Sequence, residues 1–232
     1  MARAYATGHL SYYGEPMTVL HESDWLPLAT PTEVGPHVYQ VPVLRPEACA
    51  RFLSQVDRRQ ADLTAPLQAP NSMHEHGVNL AALGFAPLLD EIHARLAPVA
   101  QRLLPEFAPY ALDTHHSYLV DYSRDTDEEL GFHVDDSEVT INLCLGDHFR
   151  GAELMMMGLR CDLHRQTAVR PHEEIEVVHS IGHAVLHAGR HRHRVDPIRS
   201  GRRRNLIIWS RSSMLRSTPQ PLACTPWCAY PS

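Results

Sequence analysis

The chain has 232 residues, of which 44% are hydrophobic and 21% charged, and its net charge is −6 with its 17 histidines counted as neutral. That balance lacks the general basic character of nucleic-acid binders, and no apolar run approaches the roughly 20 residues needed to cross a bilayer. All 21 basic residues are arginine, which reads as a composition bias rather than a function.

The first residues, Met1 to His9, contain no apolar core of a secretory signal. The five cysteines, Cys49, Cys144, Cys161, Cys224 and Cys228, form an odd, scattered set. Such a set fits the reduced thiols of a cytoplasmic protein better than a disulfide framework. Cys224 and Cys228 stand close enough in sequence to pair or to bind a metal. With no second cysteine pair beside them, the ordinary reading of two plain thiols is favoured.

Residues 1–40 carry many Pro, Gly and Tyr residues without a clear period and read as an irregular N-terminal arm. From Val41 the pattern changes. Val41 to Leu44 is a short strand, and Arg45-Pro46-Glu47 opens a helix with proline in its first turn. Ala48, Phe52, Leu53 and Val56 form the apolar stripe of that helix. After a Pro-rich loop, a second helix over about 84–104 carries Leu88, Leu89, Ile92, Leu96, Val99 and Leu103 at helical spacing. From Leu112 the pattern is β: a strand to Tyr122, an acidic loop from Ser123 to Glu129, one or two strands from His133 to Leu145, and a turn over 146–151. A strand from Ala152 to Met157 and a loop over about 158–172 follow. Further strands are expected near 174–179, 183–187, 191–195 and 203–210. Short strands at regular spacing suggest a mainly β fold, a sandwich or jelly roll, with the two N-terminal helices packed against one sheet. Residues 41–213 thus read as one domain and 214–232 as a peripheral tail.

The chemistry concentrates in Gly131-Phe132-His133-Val134-Asp135-Asp136. In an extended chain, side chains two apart share a face, so His133 and Asp135 project together. One imidazole and one carboxylate make two corners of a three-ligand metal site. A third histidine and an arginine ten positions on, His193 and Arg203, precede the last apolar strand. Two histidines and a carboxylate with open positions form the facial triad that holds non-haem Fe(II). His187 and His191 compete for the third place; the spacing to Arg203 and the Pro197-Ile198 turn favour His193, and His191 shares its strand face. Strand alternation puts Arg203, Asn205, Ile207 and Trp209 on one face and Arg202 and Arg204 on the other. A lone arginine buried inside a barrel needs an anionic partner, and its planar fork suits a carboxylate. His179, His183, His187 and His191 recur every four residues, as on a metal-binding helix, but Gly182, Gly189 and the β-branched residues between them argue for strands.

The sequence resembles the prolyl-4-hydroxylase-type branch of the 2-oxoglutarate- and Fe(II)-dependent oxygenases. Within that branch it is similar to the 2-oxoglutarate and iron-dependent oxygenase domain-containing proteins. The likeness runs from Pro70-Asn71-Ser72-Met73 and Gly77-Val78 through Leu112-Asp113-x-His115, Tyr122, His133-x-Asp135 and Glu138-Val139-Thr140-Ile141-Asn142. It closes on Val185-Leu186-His187, His193 and Gly201-x-Arg203-x-Asn205-Leu206-Ile207. The departures are Arg204, where relatives often carry an apolar or aromatic residue, and His183. The resemblance implies a double-stranded β-helix, with His133, Asp135 and His193 as iron ligands and Arg203 as the 2-oxoglutarate anchor. It further places Tyr122 and Asn142 beside the co-substrate. It implies hydroxylation of an unactivated C–H bond in an unidentified prime substrate, a small molecule or a peptidyl residue, with dioxygen consumed and succinate and carbon dioxide released. Two rival readings are a cupin-like metal enzyme that does not use 2-oxoglutarate and a non-catalytic metal-binding module. Arg203 and Tyr122 weigh against the first, and a complete triad with its anchor against the second.

Overall fold

The computed structural model describes residues 19–28, 31–146, 148–219 and 223–230. Residues 1–18 and 29–30 of the expected arm, Asp147 of the expected turn, and residues 220–222 and 231–232 of the expected tail lie outside the described residues. The chain forms strands β1 (Thr32–Gly35) and β2 (Val38–Pro42), helices α1 (Pro46–Ala61) and α2 (Ala86–Leu103), then strands β3 (Thr114–Tyr122), β4 (Leu130–His133), β5 (Val139–Cys144), β6 (Phe149–Gly151) and β7 (Leu154–Leu159). Strands β8 (Glu174–Val177), β9 (His183–Ala188), β10 (His191–Val195), β11 (Ile198–Gly201) and β12 (Arg203–Arg211) and a short helix α3 (Ser213–Ser217) complete it. No helix among the described residues is long and apolar enough to cross a membrane.

Ten of these strands build two antiparallel sheets, one of six strands in the order β1-β2-β9-β5-β12-β3 and one of four in the order β4-β10-β7-β8. Strands β6 and β11 pair separately. This is the mainly β jelly roll with two N-terminal helices on one sheet that the sequence leads one to expect. The period-two alternation of the central strands decides what each face meets. On β12, Leu206 and Ile208 join Phe52, Ile92 and Leu96 in one core beneath the helices, while Ile207 and Trp209 join Tyr118, Leu154 and Val195 in a second core. Ile141 and Leu143 of β5 likewise face the helices. Each fully buried Leu, Ile or Phe side chain stabilises the domain by about 1.5–3 kcal/mol.

Three expectations are corrected. Residues 32–42, the end of the expected arm and a short stretch beyond it, form the β1–β2 hairpin, and β2 pairs with β9 from Val38↔His187 to Pro42↔His183. The expected turn over 146–151 includes strand β6. The strand expected to run on from His133 stops there, and Asp135 lies in the loop before β5. Each was invisible as a period because the segment is short or one-sided.

Two glycines fix close backbone approaches, the second of them at that loop. Gly182 has φ +73°, a left-handed conformation natural to glycine, and its carbonyl accepts from the backbone N–H groups of Val43 and Leu44. Gly189, in the turn between β9 and β10, accepts the Asp135 N–H at 3.0 Å and donates to Glu138 O at 3.1 Å. A Cβ on Gly189 would stand 2.0 Å from Ser137 O, which is backbone and has little room to give. Gly189→Ala is therefore expected to destabilise the protein by about 1–3 kcal/mol in urea unfolding. An unchanged midpoint would contradict the close approach of these two turns.

Candidate active site

Two cross-strand pairs build the site. In the four-stranded sheet, His133 at the end of β4 lies opposite His193 on β10, so the two imidazoles stand side by side with ring centroids 4.1 Å apart. Asp135 joins them from its loop: Asp135 Oδ1 is 3.5 Å from His133 Nε2, and Oδ2 is 3.7 Å from His193 Nε2. One ligand atom from each of the three lies within 4.8 Å of the others. His133 Nδ1 is 2.7 Å from Gly131 O, and His193 Nδ1 is 2.9 Å from His191 O. A carbonyl oxygen only accepts, so each Nδ1 carries the proton and each Nε2 turns a lone pair toward Asp135. Thr140 Oγ1 donates to Asp135 Oδ2 at 2.5 Å and orients the carboxylate from behind. Two imidazole lone pairs and an oriented carboxylate around one point form the donor set of a divalent metal.

Burial pushes the His193 imidazole down to about 3, so it is neutral. Of the competing histidines, His187 lines the same slot and His191 does not. His187 Nε2 lies 4.0 Å from Asp135 Oδ2, outside the compact three-residue cluster. His191 is buried against a separate cavity of about 200 Å³, beside Trp227 and His37.

The second pair is Arg203, which opens β12, opposite Tyr122 at the end of β3. The guanidinium lies 5.4 Å from the tyrosine ring centroid and is only 1% exposed. Its neighbours in sequence are satisfied by carboxylates: Arg202 binds Asp121 at 2.8 Å, and Arg204 binds Asp57 of α1. No carboxylate among the described residues pairs with Arg203. It donates instead to Ala152 O (2.6 Å), to His179 Nε2 (2.7 Å) and, more distantly, to Asn205 Oδ1 (3.4 Å). Burial holds His179 well below its ordinary range, neutral and able to accept. A guanidinium has five N–H donors; with three engaged, two remain. Burial lowers Arg203 from its ordinary value, yet an arginine stays charged in proteins, so the cation lies in the core without a counter-ion.

Both pairs open into one slot, lined also by His74, Tyr118, Thr140, Asn142, Leu154 and Ile207, enclosing about 350 Å³ between its atoms. The slot is narrow and suits a slender ligand. The Asn142 and Asn205 amides are hydrogen-bonded to each other at 2.6 Å. The Tyr122 hydroxyl donates to His74 Nε2 at 3.2 Å, and His74 Nδ1 faces Asn71 Oδ1 at 3.2 Å. Burial raises the Tyr122 phenol above its ordinary range and keeps it protonated. All six residues expected from the sequence, His133, Asp135, His193, Arg203, Tyr122 and Asn142, therefore meet on this slot. His74, Thr140 and His179 were not anticipated. Only His179 had a signal, as the first of the four regularly spaced histidines.

The fold is that of the 2-oxoglutarate and Fe(II) oxygenases. A structural likeness to EvdO2 from Micromonospora carbonacea var. aurantiaca, solved in complex with 2-oxoglutarate, has a TM-score of 0.56 at 15% identity and covers 84% of this chain and 93% of that one. Residues 21–108 match the OGFOD2-like domain. The chain is similar to the 2-oxoglutarate and iron-dependent oxygenase domain-containing proteins. It is 41% identical to the member ICU11 of Arabidopsis thaliana over 188 residues, covering 79% of this chain and 47% of the relative. It is 36% identical to protein 2 of that name from Homo sapiens, covering 81% and 52%. The chain thus spans about half the length of these relatives.

Two buried neutral histidines, His74 in the slot and His93 away from it, give the fold a pH dependence. Burial lowers His74 and His93 to about 4 each, against roughly 6.5 in an unfolded chain. The unfolded chain therefore takes up protons first as pH falls. Stability is complete above about 6.5, declines between about 6.5 and 4, and levels off below. Each histidine is expected to remove roughly 3 kcal/mol across that window. Urea midpoints at pH 7 and pH 4.5 measure it, and His93→Gln should reduce the slope by about one proton. An identical slope in the variant would show that His93 does not carry its share.

Proposed function

We propose that this chain is an Fe(II)- and 2-oxoglutarate-dependent dioxygenase that hydroxylates an unactivated C–H bond, with succinate and carbon dioxide as co-products. The observation that carries the reading is Arg203: a buried cation without a protein carboxylate, two N–H donors unspent, in the same slot as the His133–Asp135–His193 cluster. A five-carbon dicarboxylate answers both needs, since one end pairs with the guanidinium fork while the 2-oxo acid end reaches the metal. A cupin-like enzyme without 2-oxoglutarate would leave that buried charge unexplained.

His133 Nε2, His193 Nε2 and an oxygen of Asp135 would hold the metal, and Thr140 keeps the carboxylate aimed. When bound, Fe(II) couples the oxidative decarboxylation of 2-oxoglutarate by dioxygen to oxidation of the C–H bond. Arg203 fixes the far carboxylate of the co-substrate, with the Tyr122 ring beside the guanidinium and its hydroxyl engaged with His74. Asn142, tied to Asn205, shapes the wall between them. Leu130, Leu154, Val195 and Ile207 line the slot with apolar surface and exclude bulk water. The prime substrate is a protein residue, a free amino acid or a small natural product. A cleft of about 480 Å³ that reaches Asp135 past Arg165, Arg190 and Arg216 offers it a route. All five cysteines are free thiols, which supports a reducing, cytoplasmic location as part of this reading.

Succinate formed from 2-oxoglutarate under air, with and without Fe(II), tests the proposal. Iron-dependent turnover is expected in the wild type and its loss in His133→Ala. Arg203→Ala removes two charge-assisted hydrogen bonds of about 1.5 kcal/mol or more each and should raise the KM for 2-oxoglutarate about 100-fold. No turnover together with no 2-oxoglutarate binding to the iron-loaded protein would sink the reading. Thr140→Val deletes the hydroxyl behind Asp135 and is expected to weaken Fe(II) binding about 10–100-fold, read by anaerobic metal titration. Unchanged affinity would remove Thr140 from the site.

A further inference from the structure

Away from the slot, four side chains meet at the end of β7. Cys161 and His164 lie in the turn after that strand, in a Cys-x2-His spacing, and Cys224 and Cys228 come from the C-terminal segment in a Cys-x3-Cys spacing. The three sulfurs surround a single atom, His164 Nδ1, at 3.3 Å (Cys161), 3.6 Å (Cys224) and 3.5 Å (Cys228). A ring nitrogen has either one proton or one lone pair. Hydrogen bonding can therefore account for one of these contacts and leaves two sulfurs without a reason to be there. No disulfide accounts for them, since all three cysteines are free.

A shared cation accounts for all three contacts together. Zinc–sulfur bonds of about 2.3 Å and a zinc–nitrogen bond of about 2.0–2.1 Å, set at the tetrahedral angle, put sulfur and nitrogen about 3.5 Å apart. Ligand atoms of all four residues lie within 4.8 Å of one another, which fits one ion rather than a cluster. We propose that Cys161, His164, Cys224 and Cys228 form a closed tetrahedral zinc site. Four protein ligands leave no open position, which marks a structural rather than a catalytic role. Three thiolates and one imidazole are a soft donor set, whereas His133, Asp135 and His193 offer nitrogen and oxygen, so the two sites select their metals by ligand type.

The surroundings fit a staple that holds the C-terminal segment against the barrel. The Cys161 N–H donates to Cys228 Sγ at 3.4 Å, a contact that supports a metal-bound thiolate from the outer shell. The Ala229 N–H donates to Leu159 O of β7 at 3.1 Å. The Tyr230 ring stacks on His164 with centroids 4.5 Å apart, and Trp227 packs against Phe107 at 5.0 Å. Strand β7 pairs with β10, where His193 lies opposite Met156. The staple thus closes on the sheet that carries two of the proposed iron ligands without touching them.

Metal analysis of the full chain after extensive dialysis tests this independently of oxygenase activity. About one zinc per chain is expected in the wild type and equally in His133→Ala/Asp135→Ala, which removes the facial cluster. Cys224→Ser/Cys228→Ser should lose that zinc. Should this variant not fold, cobalt exchanged into the wild-type chain decides the matter by its thiolate-to-cobalt charge-transfer absorption. Zinc absent from the facial-cluster variant, iron found in its place, or a cobalt spectrum without thiolate bands would overturn the proposal.

Discussion

A strand hydrogen-bonded on both sides cannot slip without breaking two ladders at once, and β12 is such a strand. It pairs with β3 from Arg203↔Tyr122 to Arg211↔Thr114, and with β5 from Asn205↔Cys144 to Ser210↔Val139. Because side chains alternate with a period of two, a shift by one residue would turn every side chain to the opposite face. Arg203 would then point toward the helices and Arg204 into the slot, Leu206 and Ile208 would enter the inter-sheet core, and Ile207 and Trp209 would face α1 and α2. Two apolar cores on the two faces of one sheet hold this register, and the position of the buried guanidinium follows from it.

The slot combines two electrostatic problems that burial creates. Its His193 and His74 imidazoles are neutral because desolvation disfavours their charged form, and neutrality is what leaves a lone pair on Nε2. Its one arginine cannot adapt in that way and keeps its charge. The flanking Arg202 and Arg204 show what this chain does with an arginine that needs only structural satisfaction: each is set on a carboxylate. Arg203 is given a carbonyl, a neutral histidine and an amide, which position it and leave its charge unanswered. The same low dielectric that makes such a cation expensive makes its attraction for an incoming carboxylate strong.

Much of this was legible in the sequence, and what was legible shared a cause. The helices over 46–61 and 86–103 and the strands over 183–188 and 203–211 have long, two-sided contexts, so hydrophobic period reports them directly. His193 and Arg203 fall on such strands, and their facing follows from alternation. Asp135 reaches the cluster for a different reason than alternation: a turn glycine holds its backbone in a loop. His74 and His179 were missed because their roles depend on contacts between residues 48 and 24 positions apart, and Thr140 because it bonds Asp135 across a loop that strand alternation does not describe. The cysteine cluster was half visible. Cys224 and Cys228 drew notice as a pair, but their partners lie more than 60 positions away, a distance at which no spacing rule connects them.

The sandwiching of the six-stranded sheet between two cores also sets how the site moves. Strands β5 and β12 are buried almost throughout and hydrogen-bonded to neighbours on both edges. Their amides should therefore open only with global unfolding and exchange with solvent last. Strand β4 is different: it is the edge of its sheet, four residues long, and none of the four is fully buried. Arg203, at the end of the slot proposed to recognise a carboxylate, opens β12 opposite Tyr122 of β3, two residues before the doubly paired stretch begins at Asn205. The end that gathers the metal ligands rests partly on a fraying edge strand and a loop. Local opening is therefore expected to begin at the edge strand that carries His133.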